Sequence, residues 1–565
     1  MLYKMDTKVV KDPVYTSIQL PSDFFKLIDD PLFQRLRYIK QTGLTHLVYP
    51  GLRHSRFEHS LGVAHLMLTA LEAIYRNTLH VYGENSRAFK AVKSLVEDTT
   101  LWCASGIAAL LHDIGHLAWS HVFESALTDY YVIAYARSEP AILLSLSLVS
   151  HEQLTLRLAL RLLAKHDRLC GVDSDTMIER VKRILDYAYG EGKPGADIDP
   201  LLIPARLLSG TVDVDRGDYL LRDSRSAGVS YGLYDVDRLI SVLVAVEEPG
   251  VASKRDMPID VGVVDKGVSV VESMLLGRMY MYSEVYLHDV VLAYEASASR
   301  LLSMLMYTAS LLAEEGYPGV TGFERKLLEC MTLLLSGVDE ERPELDECAR
   351  ILTDPAIETM AELLAFNYSS IYNGLLRIEQ GKWICPALYT YSRILTARQH
   401  PTGIYLSGRL ANTVVTRISG PRKGPRPQDV AKILPTYIEV LQESPLITFG
   451  YTSYPIYSKN DPVLVLNRRT KRVYALHELG LSPTAELLSN VSTWSKIVIT
   501  IPVDTISTPH TSLRIRRGKF AEKELMHNLQ LCGYSLDEAS REVAKIKEIL
   551  GELLTEIEVT LNPLY

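Results

Sequence analysis

The strongest constraint on the fold is the placement of histidine and acidic residues inside otherwise apolar helical segments. Four segments carry them: RFEHS at Arg56–Ser60, HDIGHLAWSH at His112–His121, HE at His151–Glu152 and DVDRGDYLLRD at Asp213–Asp223. An ionisable side chain is costly to bury without a partner. We therefore expect these segments, which lie far apart in sequence, to meet in one site of a helical protein.

Helical periodicity covers most of the first two-thirds of the chain. The predicted helices are Leu32–Gln41, Phe57–Tyr82, Ser94–Leu111, 121–166, Leu201–Leu221 and Gly267–Ala313. Residues 1–20 are predicted to form an extended arm or hairpin, and Pro258–Val264 a short strand. The pattern predicts a mainly α fold.

The length and the turn-forming residues predict more than one domain, because 565 residues exceed the size of one ordinary domain. Gly420–Pro427 has the composition of a linker. The β-type segments after it are Leu446–Tyr451, Pro462–Leu466, Arg472–Ala475 and Lys496–Val503. We predict a helical domain at 1–310, a helical extension at 311–420 and a smaller α+β domain at 421–565.

Composition excludes several classes of protein. A net charge of -8 gives no overall basic field, so broad nucleic-acid binding is not predicted. The first residues lack the apolar stretch of a signal peptide, and the most apolar run, Ala141–Val149, is too short to cross a membrane. The six cysteines form no C-x-x-C pair and are predicted to be reduced. We expect a cytoplasmic protein without membrane partners.

Two histidines and two aspartates in these segments have the chemistry of a divalent-metal site. His59, His112, Asp113 and Asp215 would offer imidazole nitrogens and carboxylates, which suit magnesium, manganese, iron, cobalt, nickel or zinc. Such an ion lowers the pKa of bound water and neutralises charge on a phosphoryl group. A single HD dipeptide arises often by chance, so the hypothesis depends on the whole pattern.

The same segments resemble motifs of the HD-domain deoxynucleoside triphosphate triphosphohydrolases. The matching residues are Phe33–Gln41, Arg56–Val63, Leu111–His116 with Ser120 and His121, Asp213–Asp223, Arg278–Tyr282 and Tyr286–His288. The resemblance implies an HD-domain helical bundle at 1–310. It also implies attack of water on the α-phosphorus, which gives a deoxynucleoside and inorganic triphosphate.

The resemblance assigns a role to each matching residue. It makes His59, His112, Asp113 and Asp215 the metal ligands. It places Arg56, His116, His121 and His151 around the α-phosphate, with His116 or His151 as the acid. It assigns contacts with the triphosphate and the sugar to Gln41, Arg216, Tyr219, Asp223, Arg278, Tyr282 and Tyr286. Gln41 would contact the 3′-hydroxyl, and Tyr219 or Tyr286 would disfavour a 2′-hydroxyl.

Some members of that family form tetramers when a guanine nucleotide binds between subunits. The residues that match this nucleotide site are Lys8, Val9, Asp29, Gln34 and Arg37. The resemblance thus implies a homo-oligomer, either a dimer or a tetramer, with a guanine-nucleotide activator. The alternative is that Asp29 caps a helix while Gln34 and Arg37 form a solvated face.

Two other functions stay open. HD scaffolds also host phosphohydrolases and phosphodiesterases that act on other nucleotides or phosphoesters, since a fold does not fix its substrate. A nucleotide-sensing or nucleic-acid-binding module could instead use the basic segments Arg422–Arg426 and Arg514–Lys519. Solvated surface charge is the commoner role of such segments.

Overall fold

The structure is a computed structural model of the whole chain. The residues it describes are 5–137, 150–192, 195, 198–247, 257–336, 342–407, 439, 441, 444–454, 457, 461–478, 482, 484, 486, 494–503, 514–516, 518–519 and 521–561. The predicted linker Gly420–Pro427, the basic segment Arg422–Arg426 and the apolar run Ala141–Val149 lie outside them.

An antiparallel hairpin of β1 (Thr7–Asp12) and β2 (Thr16–Pro21) confirms the prediction for residues 1–20. The predicted helix Leu32–Gln41 is wrong in its second half. The segment from residue 24 contains α1 (Phe24–Ile28), α2 (Pro31–Gln34) and a 3-10 turn at Arg35–Tyr38. The helix ends because Lys40 pairs with Ser55 in a β-bridge, which draws the backbone into an extended form.

Four helices follow: α3 (Arg56–Tyr82), α4 (Arg87–Glu97), α5 (Thr99–Leu111) and α6 (His121–Ala136). The predicted single helix Ser94–Leu111 is divided at Asp98. Its carboxylate accepts the N–H groups of Thr100 at 2.7 Å and Leu101 at 3.3 Å and so caps α5. Because α5 ends at Leu111, the HD dipeptide lies at a helix end, as predicted.

The middle of the chain contains α7 (His151–Ala164), β3 (Arg168–Leu169), β4 (Val172–Asp173), α8 (Ser174–Tyr189), α9 (Leu202–Ser209), α10 (Val214–Ala227), α11 (Val236–Val242) and β5 (Leu243–Glu247). The predicted helix Leu201–Leu221 is interrupted, because the Asp213 side chain accepts the Arg216 N–H at 2.7 Å and starts α10 anew. In the predicted helix 121–166, residues 138–149 lie outside the described part.

The next segment contains β6 (Ile259–Val264), α12 (Val268–Tyr280), a π-helix at Met281–Tyr286, α13 (Asp289–Glu314), α14 (Gly322–Leu335), α15 (Glu344–Ile351), α16 (Asp354–Ala365), α17 (Ile371–Leu375), α18 (Gly381–Thr396) and β7 (Thr402–Ser407). The strand predicted at Pro258–Val264 is confirmed. The π-helix divides the helix predicted at Gly267–Ala313, and π-turns of this kind are frequent at functional sites.

The last described elements are β8 (Thr448–Tyr454), β9 (Leu464–Leu466), β10 (Val473–Ala475), β11 (Trp494–Ile501), β12 (Arg514–Arg516), α19 (Glu522–Leu531) and α20 (Leu536–Leu561). Two four-stranded sheets have the orders β10-β9-β6-β5 and β12-β7-β11-β8. Strands from both sides of the predicted boundary at 420 therefore share sheets. The division into three domains stays a prediction, and the mainly helical fold is confirmed.

One hydrophobic cluster extends from Ile18 to Leu553 and joins the helices to both larger sheets.

The structure pairs Cys103 with Cys170, Cys330 with Cys348, and Cys385 with Cys532. All six cysteines are described and none is free, so the prediction of reduced cysteines is wrong. Partners 67, 18 and 147 residues apart leave no spacing signature in the sequence.

Among the described helices, none combines the length and the apolar character that a membrane span requires.

Candidate metal centre and active site

Three helices bring the four predicted metal ligands together. α3 carries His59, the C-terminal end of α5 carries His112 and Asp113, and the first turn of α10 carries Asp215. Asp215 Oδ1 lies 3.0 Å from His59 Nε2 and 3.7 Å from His112 Nε2. The Asp113 carboxylate lies 3.6 Å and 3.5 Å from the same two nitrogens. Two nitrogens and two carboxylates thus face one point.

Both imidazoles are oriented by a hydrogen bond on their far side. His59 Nδ1–H donates to Asp218 Oδ2 at 2.7 Å, and His112 Nδ1–H donates to the Ala109 carbonyl at 2.8 Å. The two Nε2 atoms are buried and, among the described residues, make no hydrogen bond. Buried polar atoms normally have a partner. The mixed nitrogen and carboxylate donors, oriented from behind, fit a divalent cation.

The charges at this point favour a cation. Burial opposes charge on His59, but the nearby Asp215 and Asp218 carboxylates outweigh it and raise the pKa of His59 to about 10. Burial would likewise raise the pKa of Asp215, but the His112 and His59 imidazoles hold it well below its ordinary value. The carboxylates therefore stabilise positive charge here, whether a proton or a divalent cation carries it.

Arg56, one turn before His59, connects the ligand set to the end of the HD segment. Its Nη1 donates to Asp113 Oδ2, and its Nε donates to Ser120 Oγ at 2.8 Å. The Ser120 hydroxyl in turn donates to the Lys40 carbonyl at 3.0 Å. A buried guanidinium beside the ligand set supplies the positive charge that a phosphate would need.

The three remaining predicted histidines form a second cluster next to the first. His116 and His151 stack with ring centroids 4.2 Å apart, and His121 meets them edge-on at 5.0 Å and 5.5 Å. His116 Nε2 lies 3.4 Å from Asp113 Oδ1, so the two groups adjoin. Sequence reasoning missed Glu124, whose carboxylate accepts from His151 Nδ1–H and from His121 Nδ1–H, the latter at 3.2 Å. The i, i+3 spacing of His121 and Glu124 was the available signal.

The charge states of the stacked pair differ. Burial lowers the pKa of His151, but the Glu124 carboxylate outweighs burial and raises it to about 9. Burial and the nearby Arg56 guanidinium hold the pKa of His116 well below its ordinary value. At neutral pH, His151 is therefore the imidazolium and His116 is neutral.

Two residues outside the predicted site shape the HD segment. A Cβ at Gly115 would lie 2.3 Å from the His151 carbonyl and from the Thr155 nitrogen, so only glycine lets α7 approach this closely. Arg35 is buried and donates to the carbonyls of Ile114 and His116, the latter at 2.8 Å. Burial lowers the pKa of Arg35 to about 9. Sequence reasoning missed Arg35 because its partners are backbone atoms.

Asp354, the first residue of α16, supports the same region from the predicted helical extension. It is fully buried, and it accepts the Trp119 N–H at 2.7 Å and the Lys40 N–H at 3.0 Å. Trp119 and Ser120 have φ values of 58° and 56°, a left-handed conformation that is unfavourable for residues other than glycine. Asp354 therefore holds the strained backbone that presents Ser120 to Arg56.

Several residues predicted to contact the substrate form an aromatic and basic group on α10, α12 and the π-helix. The hydroxyls of Tyr219 and Tyr282 are 3.3 Å apart, and the rings of Tyr282 and Tyr286 are 5.0 Å apart. The Arg278 guanidinium lies 5.5 Å from the centre of the Tyr282 ring. The predicted substrate residue Arg216 forms an ion pair within its own helix end, since its Nη1 donates to the Asp213 carboxylate.

Asp223 connects this group to the segment before α3. One oxygen faces His54 Nε2 at 2.7 Å, and the other accepts the Tyr286 hydroxyl at 2.6 Å. The Gln41 N–H donates to the His54 carbonyl at 3.1 Å. Gln41 Oε1 is buried and makes no hydrogen bond among the described residues, which leaves it available to a bound molecule. His54 was not among the predicted site residues.

No family model matches the chain. A protein of Methanocaldococcus jannaschii, named as uncharacterized, is 33% identical over 284 residues, which cover 50% of this chain and 47% of that protein. The human deoxynucleoside triphosphate triphosphohydrolase SAMHD1 is 27% identical over 286 residues, which cover 50% of this chain and 42% of SAMHD1. The chain is therefore similar to SAMHD1 and to the M. jannaschii protein over about half of its own length. It spans about half the length of these curated relatives.

Two solved structures share the fold over most of the chain. A phosphohydrolase from Bacteroides thetaiotaomicron has a TM-score of 0.58 at 22% identity, and the match covers 88% of this chain and 100% of that chain. A hypothetical protein from Aquifex aeolicus has a TM-score of 0.51 at 24% identity over 88% of this chain and 96% of its own. These likenesses concern the fold alone.

The residues predicted to bind a guanine nucleotide lie on β1, at the end of α1, on α2 and in the 3-10 turn that follows. Val9 is 63% exposed, and Lys8 Nζ lies 4.8 Å from the centre of the Phe25 ring. Arg37 Nε donates to Gln34 Oε1 at 2.7 Å. The helix cap is Asp30, whose side chain accepts the Leu32 N–H at 2.8 Å, whereas Asp29 ends α1. Asp29 is thus the C-terminal cap residue of α1 and not the N-terminal cap of α2.

Proposed function

We propose that this protein is a metal-dependent deoxynucleoside triphosphate triphosphohydrolase. The observation that carries the proposal is the contact between the two clusters. The ligand set of His59, His112, Asp113 and Asp215 adjoins a histidine group that contains an imidazolium, with His116 Nε2 3.4 Å from Asp113 Oδ1. A phosphoryl group between them would meet a cation on one side and a proton donor on the other.

In this proposal, His59, His112, Asp113 and Asp215 would hold one divalent ion, either magnesium, manganese, iron, cobalt, nickel or zinc. That ion would supply Lewis acidity for the phosphate and lower the pKa of water. Arg56 adds positive charge next to Asp113 for the phosphate oxygens. His151 is the better candidate for the acid than His116, since Glu124 keeps it protonated at neutral pH. It would donate its proton to the leaving 5′-oxygen.

The sugar and the triphosphate would contact the aromatic and basic group. Asp223 and the unpaired amide oxygen of Gln41 suit the 3′-hydroxyl, since both present acceptors. The rings of Tyr219 and Tyr286 would leave little room for a 2′-hydroxyl. Arg216, Arg278 and Tyr282 would contact the phosphates, with Arg216 shared between phosphate and Asp213.

The experiment is to incubate the purified protein with each dNTP and rNTP plus manganese or magnesium and to resolve the products. We expect a deoxynucleoside and inorganic triphosphate from dNTPs. Orthophosphate, pyrophosphate or a monophosphate product would favour another HD-type phosphohydrolase or phosphodiesterase. Absence of turnover despite tight nucleotide binding would favour a nucleotide-sensing module.

We also propose homo-oligomerisation promoted by a guanine nucleotide at the surface of Lys8, Val9, Asp29, Gln34 and Arg37. The exposure of Val9 leaves an apolar residue of β1 accessible to a second subunit. Size-exclusion chromatography with light scattering, with and without dGTP, should show a larger assembly with the nucleotide. An unchanged mass would contradict this part of the proposal and leave the hydrolase proposal intact.

A further inference from the structure

The hairpin of β1 and β2 contacts the metal-ligand set through one buried carboxylate. Asp218, one turn after Asp215, is fully buried and uses both oxygens. Oδ2 accepts from His59 Nδ1–H at 2.7 Å and from Arg222 Nε at 2.8 Å. Oδ1 accepts from Arg222 Nη2 at 2.8 Å and from the Tyr15 hydroxyl at 2.9 Å. Tyr15 belongs to the turn of the hairpin.

A second hairpin residue completes the charge balance. Arg222 Nη1 donates to Asp12 Oδ2 at 2.8 Å, and both side chains are buried. The other Asp12 oxygen accepts the N–H groups of Val14 at 2.7 Å and Tyr15 at 3.0 Å. Asp12 therefore fixes the turn that presents Tyr15 and neutralises the guanidinium that supports Asp218.

The buried pair of Asp218 and Arg222 fits against α3 only because residue 62 is glycine. A Cβ at Gly62 would lie 1.9 Å from Asp218 Oδ1 and 2.6 Å from Arg222 Nη2, so the absence of a side chain on α3 admits the buried pair. Close packing leaves the Asp218 carboxylate little freedom to shift. A change at Asp12 or Tyr15 is thus transmitted to the imidazole of His59.

We propose that the hairpin is a structural component of the metal centre, with Asp12, Tyr15 and Arg222 as positioning residues that act on His59 through Asp218. This inference rests on the proposed metal site. It has two consequences: the hairpin sets the affinity for the divalent ion, and ion binding stabilises the hairpin. Both effects have the same coupling free energy, because thermodynamic linkage is reciprocal. An effect of an oligomer partner or nucleotide on the hairpin would reach the metal by the same route.

The first test measures manganese affinity by isothermal titration calorimetry on the metal-stripped full chain. Residues behind a metal ligand commonly change affinity by about 10-fold to 100-fold. We expect a loss in that range for Asp12→Asn and a smaller loss for Tyr15→Phe. Lys11→Ala, an exposed change on the same strand, should bind manganese like the wild type. Unchanged affinity in both test variants would overturn the inference.

The second test measures amide hydrogen exchange across Thr7–Pro21 with and without manganese. We expect slower exchange with the ion in the wild-type protein, and a smaller ion-dependent change in Tyr15→Phe, which keeps the turn, the ring and the Asp12–Arg222 contact. His112→Ala should show no ion-dependent change. If wild-type protein binds manganese but the hairpin does not respond, the coupling is wrong and the metal site stands. If wild-type protein binds no divalent ion, the proposed function fails with it.

Discussion

The two clusters of the candidate site are built from the same kinds of side chain but suit different chemistry. The ligand atoms of His59, His112 and Asp113 lie within 4.8 Å of one another, and so do those of a second group of three histidines and Glu124. In the first, the Nε2 atoms converge without hydrogen-bond partners among the described residues. In the second, a carboxylate already accepts from two imidazoles. The first group suits a cation and the second holds a proton.

The difference shows that residue composition does not determine the role of a histidine cluster. The role depends on which group accepts a hydrogen bond from Nδ1 of each imidazole. Asp218 and the Ala109 carbonyl accept from Nδ1 of His59 and His112 and leave both Nε2 atoms as ligands. Glu124 instead stabilises the charged form of His151. Exposure differs too, since the His59 side chain is fully buried whereas that of His121 is 59% exposed.

The largest effect should follow from removing a ligand of the first cluster. His112→Ala should lose the bound divalent ion and reduce kcat at least about a thousand-fold, because an ion at this position supplies several kcal/mol to a phosphoryl transition state. Metal content by mass spectrometry and release of triphosphate check both effects. His80→Ala, an exposed change in the last turn of α3, is the control. Full activity in His112→Ala would remove the quartet from the mechanism.

A smaller effect, without loss of metal, should follow from changing the second cluster. Glu124→Gln should reduce kcat by roughly 100-fold to 1000-fold, the usual contribution of a positioned acid. Because the pKa of His151 is raised to about 9, wild-type kcat should fall as the pH rises through that value and the acid is lost. Glu124→Gln removes the carboxylate that raises the pKa of His151 against the effect of burial. The fall in kcat should therefore begin at a lower pH.

Glu152→Gln is the matched control for that profile, since Glu152 lies 3.5 Å from His151 but makes no contact with His121 among the described interactions. In Glu152→Gln, the pH above which kcat falls should shift much less than in Glu124→Gln. An unshifted pH profile in Glu124→Gln would mean that another group is the acid. Loss of metal in the same variant would mean that the two clusters are not separate in function.

The sequence predicted the residues that recognisable motifs contain and missed those that lie outside a motif. His59, His112, Asp113 and Asp215 carry ionisable groups in apolar helices, so their burial implied a common site. Asp354 gave no such signal, because its partner Trp119 is 235 residues away and is contacted through its backbone. The cysteine pairs were missed because separations of 67, 18 and 147 residues match no recognised spacing pattern.

Strand pairing was the other part that the sequence could not supply. The segments Pro462–Leu466 and Arg472–Ala475 have β-type composition, and strands form within both. Composition did not indicate that β9 would pair in parallel with β6, about 200 residues earlier. A three-residue strand has too short a pattern to specify its neighbour.

A third prediction tests whether the backbone between the two clusters must be held in place. Asp354→Asn should reduce kcat by roughly 10-fold to 100-fold, because an amide cannot accept from both Trp119 and Lys40 in this orientation and small displacements are costly in catalysis. Manganese affinity should be unchanged, since no ligand moves directly. Glu358→Gln, which changes only the exposed partner of Lys40, is the control. Equal losses in both variants would assign the effect to Lys40 rather than to the strained backbone.

The smallest effect should come from the residues proposed to contact the sugar. Tyr286→Phe removes the hydroxyl that donates to Asp223 at 2.6 Å and keeps the ring. The loss of one hydrogen bond to a carboxylate corresponds to about 1.5–3 kcal/mol at most, and water can replace part of it. We therefore expect KM for dNTPs to rise several-fold with kcat nearly unchanged, while discrimination against rNTPs persists because the ring remains. Tyr280→Phe, on a half-exposed neighbour, should change neither constant. A fall in kcat at constant KM would instead place Tyr286 with the reacting groups, and the separation between the sugar contacts and the two clusters would no longer hold.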